Sequence, residues 1–358
     1  MDRTKIPVDL ILAKLAAEAE AAQHRLERAR DIFLGPLATE IGATPYELVY
    51  QEDRVSLKHY RPETARGQTP LLLVPTLFNR ESLLDFQPDR SVVHNFLKAG
   101  LEVYLIDWGT PSRMDQFLTL DDHINGYLDN VMDFICRRHG ISRVNLMGVC
   151  LGGTFAVIYA ALHPEKVRNL VTSVCPINFD TTKGLLHIWL KEIDVDRLVD
   201  AFGNLPGNLA NMAFLLLNPP RLLLDKYIGF LENMDQKDFV ENFIRMEKWI
   251  FDSPDVPGET VREVIKELYQ GNRLVKSQME LGGRQVDLKQ VTMPLLNIYG
   301  EFDHLVPPEA CEVLTKQVGS QDTEDICLDT GHIGMYVSAR FQREIVPKIA
   351  AWLRAREG

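Results

Sequence analysis

The sequence has 358 residues, of which 46% are hydrophobic and 25% are charged, and it carries a formal net charge of -11. These values fit a folded chain of one large domain with an insertion, or of two domains. The negative charge argues against general binding to nucleic acid or to anionic membranes, although a few local Lys and Arg side chains suffice for an anionic substrate.

Five cysteines, at positions 136, 150, 175, 311 and 327, show neither a C-x-x-C motif nor metal-ligand spacing. Their odd number predicts free thiols in a reducing compartment, with no metal and no cofactor. No apolar signal core follows Met1-Asp2-Arg3. The most apolar stretch, residues 212–224, is broken by Pro219, Pro220 and Arg221 and is too short to span a bilayer. We therefore expect a cytoplasmic protein.

The first predicted element is a helix over residues 8–34, within an N-terminal helical segment of residues 1–40. Its apolar residues recur at helical spacing, with Lys, Glu and Arg between them. The apolar face is rich in alanine, so we expect this helix to dock on the body of the protein or on a partner helix.

From about residue 45 the pattern alternates between strands and helices. Residues 55–59 alternate like an exposed strand, whereas the continuous apolar run 71–74 is typical of a strand buried on both faces. Further strands are predicted at 102–107, 144–147, 169–174, 294–300 and 324–328, and helices at 91–99, 120–139, 154–163 and 340–354. Such alternation predicts an α/β fold with a mostly parallel sheet and right-handed crossovers. The core of this fold would comprise residues 41–175 and 292–358.

Residues 176–291 break this alternation. The segment is helical in pattern, interrupted by Pro and Gly, and rich in large apolar side chains such as Leu185, Leu186, Trp189 and Leu215. We interpret it as a lid domain inserted after the sixth strand. The alternative is a plain helical insertion with a small core of its own.

Residues 148–153, Gly-Val-Cys-Leu-Gly-Gly, form a G-x-C-x-G pattern between a predicted strand and a predicted helix. This is the pattern of a nucleophile elbow with cysteine in place of serine. Glycines on both sides remove the Cβ clashes of a sharp turn, and the helix N-terminus favours a thiolate at Cys150. The alternative interpretation is that Cys150 is a small buried core residue.

Two further residues lie where an α/β-hydrolase carries its acid and its histidine. Asp303 directly follows the strand 294–300, and His332 lies between the strand 324–328 and the last helix. His304 is an alternative base, but it shares the loop of the acid. The predicted triad is therefore Cys150, Asp303 and His332.

The predicted roles follow from the chemistry of such triads. His332 takes the thiol proton, and Asp303 holds the imidazole in one tautomer and stabilises its charged form. The backbone N–H of Leu151 would be one oxyanion donor. The second would come from residues 76–78, with Leu77 as the candidate.

Sulfur in place of oxygen also suggests a reaction class. A cysteine intermediate is a thioester, which retains the high acyl-transfer free energy of a thioester substrate. Attack on it by an alcohol would then be downhill. Cysteine therefore suits acyl transfer from a thioester to a hydroxyl, with water excluded by a lid.

These residues resemble the polyhydroxyalkanoate synthases, and most closely the catalytic subunit of the class III, two-subunit type. The resemblance covers about residue 45 to the end of the chain. It rests on the motifs at residues 148–153, 105–109, 120–127, 245–254, 303–308 and 331–334. The short chain is also similar to class III, because the single-subunit classes carry a long extra N-terminal domain.

The resemblance implies the α/β-hydrolase fold and the successive transfer of short-chain 3-hydroxyacyl groups, such as 3-hydroxybutyryl, from coenzyme A to a growing polyester. It implies that Cys150 carries the acyl chain, that His332 activates the thiol and that Asp303 also helps to activate the 3-hydroxyl, directly or through His332. Coenzyme A thioester is a substrate here and not a cofactor. A second subunit of the PhaE type, a homodimer or higher oligomer, and association with polyester granules are implied in the same way.

Three other functions stay open at the level of sequence. One is a Cys-Asp-His hydrolase of the dienelactone hydrolase kind, which would share the triad but not the long apolar insertion. Another is a non-catalytic scaffold that binds granules, which the intact triad argues against. A small-molecule acetyltransferase on the same fold is the third.

Overall fold

The computed structural model describes residues 8–64 and 69–357. Residues 1–7, which include the Met1-Asp2-Arg3 start considered above, lie outside the described residues. The chain divides into two compact units. One comprises residues 8–40 and 218–248, and the other comprises the described residues of 41–217 and 249–357.

The larger unit is built on an eight-stranded sheet. Its strands are β1 (Glu47–Glu52), β2 (Val55–Tyr60), β3 (Leu71–Val74), β4 (Val103–Asp107), β5 (Val144–Val149), β6 (Val167–Ser173), β7 (Leu295–Gly300) and β8 (Thr323–Leu328). Their spatial order is β1-β2-β4-β3-β5-β6-β7-β8. The strands from β4 to β8 are paired in parallel, which confirms the predicted mostly parallel sheet.

The first two strands run against the rest of the sheet. β1 pairs antiparallel with β2, and β2 pairs antiparallel with β4. The interpretation of residues 55–59 as an exposed strand is therefore wrong. β1 covers the outer edge of β2, and Val55, Leu57 and His59 on alternate positions are buried.

Helices alternate with these strands in the larger unit. They are α2 (Val92–Lys98), α3 (Asp129–His139), α4 (Leu151–Leu162), α5 (Leu185–Glu192), α6 (Val195–Phe202), α7 (Gly207–Leu215), α10 (Gly258–Glu263), α11 (Pro308–Cys311), α12 (Leu314–Gln317), α13 (Gly334–Val337) and α14 (Val346–Arg354). Helix α3 is preceded by the π-helical segment Asp122–Leu128, α10 is followed by another at Val264–Gln270, and α14 is preceded by a third at Phe341–Ile345. The predicted helices 120–139 and 340–354 are thus both present, and each contains a π-helical segment in its first part.

The centre of the core lies around α4. All 12 of its residues are buried, and the helix contacts β3, β5 and β6. The strands β3 and β5 are buried along their whole lengths, as expected for central strands of a parallel sheet covered on both faces. This packing fixes the residue that joins β5 to α4.

The smaller unit is helical. It contains α1 (Val8–Leu34), which has the predicted bounds, the π-helical segment Pro220–Asp225, helix α8 (Lys226–Asn233) and most of α9 (Lys237–Phe251). The ring centroids of Phe33 and Phe230 are 6.3 Å apart, and the Arg28 guanidinium donates to the Asp235 carboxylate at 3.0 Å. Helix α1 therefore contacts α8 and the residues that follow it within this unit.

The predicted insertion, residues 176–291, contributes helices to both units. Residues 218–248 belong to the smaller unit, whereas α5, α6, α7 and α10 belong to the larger one. Its role as a lid stays a prediction. Within residues 8–64 and 69–357, none of the helices is long and apolar enough to cross a membrane.

Candidate active site

The turn between β5 and α4 holds Cys150 in a strained conformation. Its φ of 54° and ψ of -128° lie in a region that residues with a Cβ rarely adopt. Such strain persists only where the surroundings enforce it, and it marks functional sites. The geometry is that of a nucleophile elbow.

Two glycines make this turn sterically possible. A Cβ on Gly148 would lie 2.4 Å from the Cα of Gly153, and a Cβ on Gly152 would lie 2.3 Å from the carbonyl oxygens of both Val74 and Pro75. The glycines therefore allow the backbone segments at the elbow to approach each other closely. Gly152 in particular brings the start of α4 against the end of β3.

Backbone hydrogen bonds complete the support of Cys150. Its N–H donates to the carbonyl of Ser173 at 2.9 Å, and its own carbonyl accepts from the N–H of Gly153 at 2.8 Å. The turn is thereby tied to the end of β6 and to the first turn of α4. The side chain of Cys150 packs against a small buried cluster that includes Tyr299, Val306 and Cys311.

Asp303 and His332 form a buried pair on the two following loops. Nδ1 of His332 lies 2.7 Å from Oδ2 of Asp303. Oδ1 of Asp303 accepts the backbone N–H groups of Leu305 and Val306, both at 2.9 Å. The carboxylate is thus fully engaged and fixes the orientation of the ring, with Nε2 as the nitrogen left for chemistry.

The electrostatics link this pair to Cys150. Burial acts to lower the pKa of His332, but interactions with Asp303 and Cys150 outweigh burial and raise that pKa to about 10. The arrangement therefore stabilises the positive charge that His332 gains when it takes up a proton. The structure brings the three predicted residues Cys150, Asp303 and His332 into one site.

His304 occupies a different position. It follows Asp303 directly and is half-buried, while the Asp303 carboxylate is taken up by His332 and two backbone N–H groups. His332 is therefore the histidine that is hydrogen-bonded to Asp303.

The predicted oxyanion donors lie on the two segments that Gly152 brings together. Leu151 is the first residue of α4, so its N–H has no carbonyl acceptor within the helix. Leu77 lies in the loop after β3, and the neighbouring N–H of Phe78 already donates to Oγ1 of Thr76 at 3.4 Å. The N–H of Phe78 is therefore already engaged in a hydrogen bond.

Sequence reasoning missed the residues that support these loops. Nε1 of Trp108, which follows β4, donates to the carbonyl of Pro75 at 3.0 Å and holds the loop that contains Leu77. The centroid of the Tyr336 ring lies 5.9 Å from that of the His332 ring, and the Tyr336 side chain is buried. The available signals were the motif at residues 105–109, which contains Trp108, and the position of Tyr336 four residues after His332.

Comparison with known proteins first identifies the fold. A family model described as the alpha/beta hydrolase fold matches residues 69–339. Among solved structures, a soluble variant of monoglyceride lipase from Saccharomyces cerevisiae has a TM-score of 0.56 with 14% identity, covering 90% of this chain and 100% of that one. The predicted α/β-hydrolase fold is thus confirmed.

The relatives then identify the family. A second model, described as the N-terminus of poly-beta-hydroxybutyrate polymerase (PhaC), matches residues 12–96. The poly(3-hydroxyalkanoate) polymerase subunit PhaC of Allochromatium vinosum is 46% identical over 98% of this chain and 99% of its own length. The subunit of the same name from Thiocystis violacea is 45% identical over 98% and 99%. The chain therefore belongs to the PhaC family of poly(3-hydroxyalkanoate) polymerase subunits, as the sequence motifs predicted.

Proposed function

We propose that this chain is the catalytic subunit of a class III polyhydroxyalkanoate synthase. It polymerises short-chain 3-hydroxyacyl groups, 3-hydroxybutyryl in particular, and releases coenzyme A. The observation that carries the proposal is a thiol at a strained elbow beside a buried Asp303–His332 pair, in a member of the PhaC family. This arrangement suits a covalent acyl intermediate on Cys150.

In the first half-reaction the acyl group moves from coenzyme A to Cys150. Nε2 of His332 accepts the thiol proton, and the sulfur of Cys150 forms a bond to the thioester carbonyl carbon. The N–H of Leu151, with that of Leu77 as the second donor, stabilises the oxyanion. The bond to the sulfur of coenzyme A then breaks, and His332 returns the proton to that sulfur.

In the second half-reaction a 3-hydroxyl group attacks the thioester on Cys150. His332 accepts the hydroxyl proton, the oxygen bonds to the carbonyl carbon, the carbon–sulfur bond to Cys150 breaks, and His332 returns the proton to that sulfur. The product is an oxyester one unit longer, and the step is downhill because a thioester is exchanged for an ester. The same His332 thus serves both halves of the cycle.

Asp303 acts through His332 in this scheme. Both of its oxygens are occupied, one by the ring of His332 and the other by two backbone N–H groups, and its side chain is fully buried. This arrangement supports orientation and stabilisation of the imidazolium.

The partners belong to the same proposal. We expect a second synthase subunit of the PhaE type, self-association to a homodimer or larger oligomer, and residence in the cytoplasm at the surface of polyester granules. The family membership supports these expectations. Polymerisation by this chain alone is expected to be slow or to show a lag, and addition of the partner subunit should remove the lag without supplying new catalytic residues.

The test is to incubate the chain, with and without the partner subunit, with 3-hydroxybutyryl-coenzyme A. Thiol release and the acyl product are followed together. Polymerisation predicts one coenzyme A released per unit of insoluble polyester. Release of free 3-hydroxybutyrate in the same amount would instead identify a hydrolase with the same triad, and full lag-free activity unaffected by the partner would contradict the two-subunit assignment.

A further inference from the structure

Two buried tryptophan side chains hold the two ends of the loop that follows β3. Nε1 of Trp108 donates to the carbonyl of Pro75 at 3.0 Å. Nε1 of Trp249 donates to the carbonyl of Arg80 at 3.1 Å. Leu77, the candidate for the second oxyanion donor, lies between these two points of attachment.

The second attachment comes from the predicted insertion. At its residues 249–253, which we call the return segment, the chain passes from the smaller unit back into the larger one. The hydroxyl of Ser253 donates to Oδ1 of Asn79 at 2.7 Å. Nε of Arg80 donates to the backbone carbonyl of Asp252 at 3.1 Å and lies 3.4 Å from its carboxylate. The return segment therefore contacts the loop after β3 through several hydrogen bonds as well as through Trp249.

Helix α7, which is also part of the predicted insertion, supports these contacts. Nδ2 of its buried residue Asn211 donates to the carbonyl of Ile250 at 2.5 Å, and Oδ1 of Asn211 lies 3.0 Å from Oγ of Ser253. Phe214 on the same helix has its ring centroid 6.1 Å from that of Phe78 in the loop after β3. The return segment is thus fixed to α7 as well as to the loop, and all of these residues belong to the larger unit.

The position of this loop matters for chemistry because an oxyanion donor acts only at hydrogen-bond distance from the developing charge. A misplacement of about 1 Å in a reacting site can cost a large part of the rate. Trp108 fixes the start of the loop to the central sheet, but a loop attached at one end can still shift at the other. The return segment supplies the missing attachment at the far end of the loop.

We propose that Trp249 and Ser253 are positioning residues for acyl transfer, which hold the loop after β3 so that its backbone N–H can stabilise the oxyanion formed on the acyl carbon. Both act through the loop and neither is a catalytic residue. The insertion then contributes to turnover by fixing the oxyanion donor, separately from any closure over the site. The inference rests on the proposed function, in which the N–H of Leu77 is the second oxyanion donor.

The test compares two reactions of the same thiol in the full chain. Acylation of Cys150 by 3-hydroxybutyryl-coenzyme A passes through an oxyanion and is followed as single-turnover release of coenzyme A. Alkylation of Cys150 by iodoacetamide occurs at a saturated carbon, forms no oxyanion and is followed by the mass of the peptide that contains this residue. Trp249→Phe, which keeps an aromatic ring and removes the indole N–H, should slow acylation about 10-fold and leave alkylation unchanged. This loss is a part of the roughly 100- to 1,000-fold cost of losing an oxyanion donor completely.

Two further variants make the outcome decisive. Ser253→Ala removes the hydroxyl that bonds Asn79 and should slow acylation by about 3-fold without changing alkylation, which gives the same readout if Trp249→Phe does not fold. Trp352→Phe is the matched control, because Trp352 is 6% exposed against 4% for Trp249 and its Nε1 has no hydrogen-bond partner among the described residues. It should leave both rates unchanged. Unchanged acylation in the return-segment variants, or an equal loss of acylation and alkylation, would overturn the inference.

The same experiment separates this inference from the proposed function. A wild type that acylates Cys150 and then releases free 3-hydroxybutyrate would contradict polymerisation, yet the comparison of acylation with alkylation would still decide the role of the return segment. Polymer formation together with wild-type acylation rates in Trp249→Phe and Ser253→Ala would overturn the positioning role and leave the proposed function intact. A wild type that is alkylated but never acylated at Cys150 would overturn both.

Discussion

The elbow around Cys150 and the helical unit of residues 8–40 and 218–248 differ in how far their apolar side chains are exposed to solvent. Every residue of α4 is buried, whereas Ala29 is the one buried residue of α1. Leu10, Leu12 and Leu15 on α1 are each more than half exposed. Apolar side chains at the elbow fix one backbone geometry for a single thiol, while those of α1 keep much of their surface in contact with solvent.

This difference predicts different consequences of substitution in the two regions. Chemistry at Cys150 requires a backbone held in a strained conformation, and only dense packing can enforce that. An exposed apolar helix face is a feature of surfaces that meet partners. We therefore expect substitutions at the elbow to affect turnover strongly and those in the helical unit to affect it weakly.

The largest effect is expected at the nucleophile. Cys150→Ala should abolish coenzyme A release, because no covalent intermediate can form. Cys150→Ser should leave at most trace activity, since a hydroxyl is a much weaker acid than a thiol and its ester lacks the driving force of a thioester. Near wild-type release by the Ala variant, measured with 3-hydroxybutyryl-coenzyme A, would refute the role of Cys150.

The next effect distinguishes the two candidate histidines, His332 and His304. His332→Gln should slow both acylation of Cys150 and polymer growth by about 100-fold or more, because it removes the general base. His304→Gln should cost far less, since Asp303 is bonded to His332. Initial rates of the two purified variants provide the comparison, and the opposite order would reverse the assignment.

Asp303→Asn is expected to reduce turnover strongly while Cys150 is still acylated slowly, because the acid orients the base and does not attack. It should also change the dependence of stability on pH. The pKa of His332 is raised from 6.5 to about 10 in the folded protein, so this stabilisation is fully present below about pH 6.5 and is lost as the pH rises through about 10.

Thermal unfolding between pH 6 and pH 10 checks that part of the prediction. Removal of the Asp303 charge should lower the pKa of His332, so the variant should lose less stability over this range than the wild type does. Parallel curves for the two proteins would show that the pair does not carry this charge interaction.

The smallest effect compares one glycine from each region. Gly152→Ala places a Cβ 2.3 Å from two backbone oxygens and should lower the free energy of unfolding by about 2 to 4 kcal/mol. Gly229→Ala, in the interior of α8 with no atom within 4 Å of the new Cβ, should raise it by about 0.5 to 1 kcal/mol. Chemical denaturation of both variants measures the difference, and equal effects would show that the elbow is no more constrained than the helical unit.

The features that sequence reasoning predicted are those fixed by local pattern. Parallel strands place their carboxyl ends along one edge of the sheet, so residues directly after β5, β7 and β8 were expected to meet. Cys150, Asp303 and His332 follow these three strands. The helix of residues 8–34 was predicted with its final bounds because its periodicity is uninterrupted.

The features that were missed depend on distant partners. Strand β1 escaped prediction because it is a polar edge strand, and without it β2 was wrongly interpreted as exposed. The bond from Trp108 to Pro75 spans 33 positions in the sequence.

Covalent catalysis by Cys150 is tested most directly by the mass of the peptide that contains this residue after brief reaction with 3-hydroxybutyryl-coenzyme A. We expect a hydroxyacyl adduct on Cys150 that accumulates before polymer forms and is released by hydroxylamine, as a thioester is. Coenzyme A release and product formation without any adduct on Cys150, or with the adduct on another residue, would contradict it.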